Sequence, residues 1–551
     1  MCGILTYYSK NYLSNKTIKN CLDSLNRISH RGPNGEGVVL INTLTGDYKY
    51  LMTKQTPIGA NVQSNLSNQD CKFNLLIGHR RLSILDLSDS ANQPMNSSCN
   101  RYIMVYNGEV YNYKNIAKEI TNIKWKTSSD SEVILEAFCK WGPNFITKLN
   151  GMFSIAIYDK QENKLFLFRD RMGIKPLFYS ITNDEFIFAS ELKAIDKIKA
   201  KKSISYESIY AYLHLGYIPS NKTIYKNILK VKPGSYIEYG NNVLTETIYW
   251  KPINKITNNT FDNFSSSKKK LKLLLEKSIG SRLISDVPVG TFLSGGTDSS
   301  LVTAIAQEVN GTPINTFSIG FEDAKYNESY HAKKVAKYLG TNHNEFILKE
   351  QDAINELESI IEHFDEPFAD SSSLPTMLVS KMARKYVTVC LSGDGGDELF
   401  MGYGAYTWAN RLNHPIFGTF RYPISKFLQQ SSSNQNKRGA LVFKSPKRNW
   451  KSHIFSQEQY LFSEKEINDL LIHKNKNSII ENINSTLKFN RKLHHDEEQA
   501  FFDLNNYLID DLLVKVDRAS MYTSLEARVP LLDHNIIEFA INLNEKLKIH
   551  R

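Results

Sequence analysis

The sequence predicts two fold classes in one chain: an α+β half with antiparallel sheets, then an α/β half with a doubly wound parallel sheet and a helical tail. Three observations predict this. Residues 1 to about 200 break into short strands bounded by turn residues, with few helices between them. From about residue 267 strands and helices alternate, the rhythm of parallel crossover units. Within that second half, two glycine-rich loops each follow a strand, as loops at the carboxyl ends of one parallel sheet do. The 551 residues suffice for two to four domains with cores of their own.

In the first half, strands are expected over 102–106, 152–158, 164–168 and 186–189. Val133, Ile134, Ala137 and Phe138 fall at helical spacing, predicting a helix over 131–141. Residues 204–255 read as a connecting segment with a helix, a Lys-Pro-Gly turn at 232–234 and a short strand pair, and the polar stretch 254–267 reads as a linker. The expected division is therefore 2–203, 204–255 and 256–551. Past the linker, helices are expected over 267–284, 299–309 and 328–339, with strands over 289–293, 314–319, 344–347 and 387–391. From Trp408 the chain reads as mostly helical.

With 41% hydrophobic and 23% charged residues, the chain is neither collagenous nor disordered. No apolar run approaches the roughly 20 residues of a membrane span, and the start lacks the basic-then-apolar pattern of a secretory signal. A soluble, cytoplasmic protein without membrane attachment is expected. The six cysteines lack ligand or framework spacing, which argues against disulfides and structural zinc. The net charge of +11 is spread along the chain; its one compact run, at 268–272, reads as a solvated helix face. No nucleic-acid partner is expected.

Cys2 follows the initiator methionine and precedes a glycine. If the methionine is removed, its thiol becomes an N-terminal nucleophile with its own α-amine as base. Behind it stand HRGPNGEG at 30–37, GHRRLSI at 78–84, YNGE at 106–109, SSDSE at 128–132, GMF at 151–153 and RDRMGIKPLFY at 169–179. Together these resemble the glutamine amidotransferase domain of the N-terminal nucleophile (Ntn) class, an αββα sandwich. The resemblance implies that Arg81 holds the α-carboxylate of glutamine as a bidentate pair, that Asp130 accepts from its α-ammonium, and that Glu109 orients it. It makes the Asn107 side chain and the Gly108 N–H the oxyanion hole. Asn34 departs from the usual Asp of the RGPDG turn, with a small effect expected, and Arg80 reads as structural.

LSGGTDSS at 293–300 lies between a strand and a helix and carries two glycines, hydroxyls and a helix N-terminus suited to an anion. It resembles the pyrophosphate-binding loop of ATP pyrophosphatases. A second loop, LSGDGGDELF at 391–400, follows another strand. The resemblance places Leu293, Ser294, Gly295, Gly296, Asp298, Ser299, Ser300, Ile319, Ser392 and Gly393 around ATP. It gives Asp298 and Asp397 to Mg²⁺, whose hard-oxygen preference suits carboxylates, and makes Asp394 a base.

KVDRASM at 515–521 and EARVPLLD at 526–533 complete a likeness, covering essentially the whole chain, to glutamine-hydrolysing asparagine synthetases. That likeness implies a basic residue stabilising charge on phosphate, Arg518 first and Lys515 second, with structural ion pairing as the alternative for both. It also sets residues 365–373 along the acceptor pocket. The implied substrates are glutamine, ATP and aspartate, with Mg²⁺ as cofactor and a homodimer among the allowed assemblies. Relatives usually continue beyond the point corresponding to Arg551, so a shortened synthetase domain is expected. Three alternatives stand beside this reading: amidation of a sugar uronate, a tRNA-modifying ATP pyrophosphatase, and a non-catalytic binding protein on the same fold.

Overall fold

The computed structural model describes residues 2–53, 56, 72–199, 202–323, 325, 327–472, 479–485 and 487–549. Cys71, one of the six cysteines, and Arg551 lie outside these.

Two antiparallel sheets stack face to face in the first half. One runs in the order Leu229–Lys230, Phe178–Ile181, Glu185–Ala189, Gly3–Ser9, Leu75–Arg81, Gly35–Ile41, Tyr48–Leu51. The other runs Val243–Ile248, Ser235–Gly240, Lys164–Arg169, Gly151–Asp159, Tyr102–Val110, Met95–Asn96. Alternation along the strands sends Ile4, Val39, Ile77, Val105, Leu167 and Phe188 into the layer between the sheets.

The outer faces are apolar too, and each is covered by helix. Ile18, Cys21 and Leu25 of the helix Asn15–Arg27 seal the first sheet, and Ile134, Leu135 and Phe138 of Asp130–Trp141 seal the second. Each such side chain contributes about 1.5–3 kcal/mol by leaving water. Ser14 caps the first helix by accepting from Thr17 N–H at 3.1 Å. The result is the αββα sandwich.

The strands over 229–248 belong to these sheets, so the antiparallel half does not end at residue 203. The expected connecting segment supplies the edge of one sheet and a two-strand hairpin to the other, with Ser235–Gly240 paired in register against Lys164–Arg169.

The second half is built on a parallel sheet in the order Asn342–Leu348, Asn315–Phe321, Val289–Phe292, Val389–Leu391, Glu526–Arg528. Helices Thr297–Asn310, Ser329–Leu339 and Ser373–Ala383 make its crossovers. The chain order places Asn315–Phe321 to one side of Val289–Phe292 and Val389–Leu391 to the other, so the sheet switches direction at Val289–Phe292, where ligands of such sheets bind. Beyond Phe400 the chain is nearly all helix up to Met521.

A shared core joins the halves. Tyr111, Met152, Met172 and Ile174 from the sandwich pack with Leu399, Leu508, Leu512 and Leu532. Among the described residues no helix is long and apolar enough to cross a membrane. Cys2, Cys21, Cys99, Cys139 and Cys390 are free thiols.

Candidate active sites

Cys2 lies at the head of the central strand of the first sheet, and its N–H donates to Asn107 Oδ1 at 2.9 Å. Asn107 is fully buried, and its Nδ2 has no hydrogen-bond partner. A buried amide donor left unsatisfied is costly, and this one belongs to a side chain tethered to the Cys2 backbone.

Gly108 follows in a backbone conformation with φ +155°, where a Cβ would lie 2.1 Å from Met152 O. The position therefore takes only glycine. Its register partner Phe153 has both backbone groups occupied by Asp170, at 2.9 and 3.2 Å, so that rung does not consume the Gly108 N–H.

Burial pushes the Cys2 thiol pKa up, while a backbone hydrogen bond from Leu82 and the charge of Arg81 pull the other way. Arg81 Nη1 donates to Ser88 O at 2.6 Å and Asn92 Oδ1 at 2.9 Å, and Nη2 to Asp86 O. It lines a cavity of about 380 Å³ together with Asn34, Ser83 and Asp89. Asn34 holds the turn as Asp would, its Oδ1 accepting from Ser83 N–H at 3.1 Å. Arg80 is structural: it donates to Leu25 O and Asn26 Oδ1 and pairs with Glu36.

Asp130 opens the helix Asp130–Trp141 and accepts from Tyr106 O–H at 2.7 Å and Val110 N–H at 2.9 Å. Burial raises its pKa to about 6 and pushes that of Glu109 well above the usual range.

Three residues to which no role was assigned complete this site, and they come from motifs already visible. Arg31, of HRGP, donates to the Cys2 carbonyl at 3.1 Å. Glu526 and Arg528, of EARVP, form a pair at 2.7 Å, with Arg528 3.5 Å from Glu109. They sit on the last strand of the parallel sheet, so one domain's sheet reaches under the other's site. No local pattern announces such a contact.

The second site is a cavity of about 730 Å³ between the two glycine-rich loops. Ser294, Gly296, Asp298 and Ser299 line one wall, and Ser392, Gly393, Asp394 and Asp397 the other. The loops interlock where side chains are missing. A Cβ on Gly393 would sit 2.8 Å from Ser299 N, and one on Gly396 2.2 Å from Asp298 Oδ2.

Burial, with Asp397 and Asp394 adding their charge, raises Asp298 to about pKa 6, and Asp397 shifts upward for like reasons. Two carboxylates crowded this way favour a hard cation. Gly402 leaves the room for Asp397, since a Cβ there would fall 1.8 Å from Asp397 Oδ1. Among the described residues no group of three or more His, Cys, Asp or Glu could hold a metal by itself. The pair therefore suits Mg²⁺ carried in with phosphates, since that ion uses one or two carboxylates and keeps phosphate ligands.

Four residues expected around ATP do not line this cavity. Leu293 packs with Ala332 and Ala336 and enters the loop only through its backbone; Ile319 packs beside Phe317 and Val379. Ser300 is turned inward, its Oγ buried. Gly295 acts from behind: at φ +84° it lets the loop approach Ala332 N, which a Cβ would meet at 2.6 Å.

The order expected for the basic residues also reverses. Lys515 lines the cavity, 2.9 Å from Asp370 and donating to Ser372 Oγ at 2.8 Å. Arg518, almost one helical turn on, points to the domain interface, where it pairs with Glu191 at 2.9 Å and Asp365 at 3.1 Å. It is the structural ion pair that the alternative reading described.

The helix Leu513–Met521 links the two sites. It puts Lys515 into the ATP-loop cavity, and its Asp517 accepts from Arg31 at 2.9 and 3.1 Å, the arginine that holds the Cys2 carbonyl.

Residues 270–551 match the family model described as asparagine synthase, and residues 59–250 match the glutamine amidotransferase domain. The chain belongs to the asparagine synthase family. It is 35% identical to the putative asparagine synthetase (glutamine-hydrolyzing) 2 of Methanocaldococcus jannaschii, an alignment covering 95% of this chain and 98% of that one. Asparagine synthetase (glutamine-hydrolyzing) 1 of Bacillus subtilis is 32% identical, covering 86% and 74% of the two chains. The amidase chyE of Penicillium rubens aligns with the whole of this chain and 83% of its own at 24% identity.

Proposed function

We propose that the protein is an ATP-dependent amide ligase that makes asparagine from aspartate with glutamine as nitrogen donor. The observation that carries this is the helix Leu513–Met521, which touches both sites at once through Lys515 and Asp517. Two unrelated chemistries sharing one buried helix make sense when the product of one is the reactant of the other.

In the first site the Cys2 thiol attacks the side-chain amide of glutamine. After removal of the methionine, the nitrogen now held by Asn107 Oδ1 becomes the α-amine that takes the thiol proton and passes it to the departing ammonia. Asn107 Nδ2 and the Gly108 N–H receive the oxyanion. Water then releases glutamate from the γ-glutamyl thioester.

In the second site the glycine loops hold the phosphates of ATP, and Asp298 and Asp397 would hold Mg²⁺, which neutralises phosphate charge when bound. The acceptor carboxylate attacks the α-phosphorus and pyrophosphate leaves, with Lys515 stabilising charge on the phosphate. Ammonia, passed inside the protein, displaces AMP to give the amide.

The test is Cys2→Ala. Glutamine-dependent asparagine formation should fall to background, because the α-amine alone cannot divide amide cleavage into two steps. An ammonium salt at mildly alkaline pH should restore product, and MgATP-dependent pyrophosphate release with aspartate should persist. Normal glutamine hydrolysis by this variant, or no rescue in a folded variant, would defeat the scheme.

A further inference from the structure

On the wall of the ATP-loop cavity stands a buried carboxyl group with no salt-bridge partner among the described residues. Glu398 lines the cavity yet is 3% exposed. One of its oxygens accepts from Tyr403 O–H at 2.8 Å; the other, Oε2, has no partner. The charges acting on it most strongly are the carboxylates of Asp397 and Asp394, and no basic side chain is among them.

Lys515, the only lysine lining the cavity among the described residues, is claimed by several carboxylates. It pairs with Asp370 at 2.9 Å and feels Asp394 and Asp511 as well. Asp511 stands on the π-helical turn Leu508–Leu512, where the widened winding sends Asp510 toward Ser220 and Lys230 and leaves Asp511 buried with Oδ1 unpartnered.

ATP adds more negative charge, and a metal shared with its phosphates would occupy Asp298 and Asp397 rather than Glu398. A buried carboxylate oxygen without a donor is expensive. A second ligand with a cationic nitrogen would supply that donor.

We propose that Glu398 binds the ammonium group of the acceptor, so that the cavity selects carboxylates that carry a cationic amine over those that do not. This rests on the reading that the cavity adenylates a carboxylate. Aspartate brings an ammonium beside its carboxylates, whereas a sugar uronate or a plain dicarboxylate brings only negative charge into an acidic pocket. Glu398 is thus a specificity-determining residue, and Tyr403 is a positioning residue that fixes its other oxygen.

The experiment uses the full chain with MgATP and ammonium chloride, and follows pyrophosphate release with aspartate, succinate and glucuronate. Succinate is aspartate without the amine. For the unaltered protein, kcat/KM with aspartate should exceed that with succinate by at least about 100-fold, as expected of a site built around a group the analogue lacks. In Glu398→Gln the KM for aspartate should rise about 10- to 100-fold, the effect of losing one hydrogen bond to a charged group. Its KM for MgATP should stay unchanged, and the preference over succinate should collapse. Glu398→Asp, which keeps the charge, should retain the preference; should Glu398→Gln fail to fold by thermal melting, Glu398→Asp and Tyr403→Phe carry the comparison. An unchanged KM for aspartate, equal losses with aspartate and succinate, or a change in KM for MgATP alone would overturn the assignment of Glu398. Release with glucuronate but not with aspartate in the unaltered protein would instead overturn the acceptor reading itself.

Discussion

Asn107→Ala isolates the oxyanion hole. The side chain does two things: Oδ1 accepts from the Cys2 N–H at 2.9 Å, and Nδ2 is a buried donor with nothing to bind. In the ground state the second group is pure cost, so its value must appear when an oxyanion forms. Loss of one such donor removes about 2.7–4 kcal/mol from transition-state stabilisation, or about 10²- to 10³-fold in kcat. The Gly108 N–H remains, because its position depends on the strand rather than on residue 107, so activity should drop without vanishing. The assay is glutamate release under saturating glutamine, with ammonia-dependent pyrophosphate release measured in parallel. The first should fall by two to three decades, on the order of the donor's worth, and the second should stay near that of the unaltered protein, since Asn107 contacts nothing in the ATP-loop cavity. Glutamine hydrolysis within a few-fold of normal would refute the oxyanion role. Parallel loss of both activities would mean that the substitution acts through folding.

Lys515→Met and Arg518→Met should separate by readout. Lys515→Met should cut pyrophosphate release by about 10²-fold while glutamine hydrolysis persists, because the charge facing the phosphates is lost, with some loss of thermal stability as Asp370 loses its partner. Arg518→Met removes one of two cations shared by Glu191 and Asp365, leaving Lys193 to both and Arg31 to Glu191, so it should destabilise the fold by up to about 3 kcal/mol and lower both activities together, read by denaturant unfolding. Stability should also fall in acid. His214 and His453, buried with their rings edge to face and centroids 4.7 Å apart, have pKa values lowered by burial to about 3 and about 4. A histidine whose folded pKa lies below its unfolded value of about 6.5 stabilises the fold above pH 6.5 and loses that contribution as pH falls toward the folded value. For His214 alone the loss between neutral pH and pH 5 is about 2 kcal/mol. His214→Asn should flatten the pH dependence of the unfolding midpoint, and an unaltered slope would exclude this histidine as the cause.

The sequence by itself determined the elements and the chemistry that depends on local geometry. Short apolar runs bounded by turn residues marked the sandwich strands, and strand–helix alternation marked the parallel sheet. The LSGGTDSS loop (293–300) and the LSGDGGDELF loop (391–400) were marked by their glycines, which permit the close approach of one loop to the other. Asn107 and Gly108 were singled out by their resemblance to the amidotransferase motif, and Cys2 by its place at the terminus; a terminus and one strand then bring the three together. Only the tertiary structure decided whatever depends on the direction of a long side chain or on contact between domains. Lys515 and Arg518 lie three residues apart on one helix, and the family likeness put Arg518 first. They stand only about 60° apart around the helix, so what separates them is where each long side chain finds carboxylates: Lys515 at Asp370 on the cavity wall, Arg518 at Glu191 and Asp365 in the interface. Arg31, Glu526 and Arg528 reach the Cys2 site only because the halves pack together, with Arg31 meeting Asp517 across 486 positions of chain. Electrostatics behaves likewise: the upward shifts at Asp130 and Asp298 arise from burial and neighbouring charge, which a linear sequence does not contain.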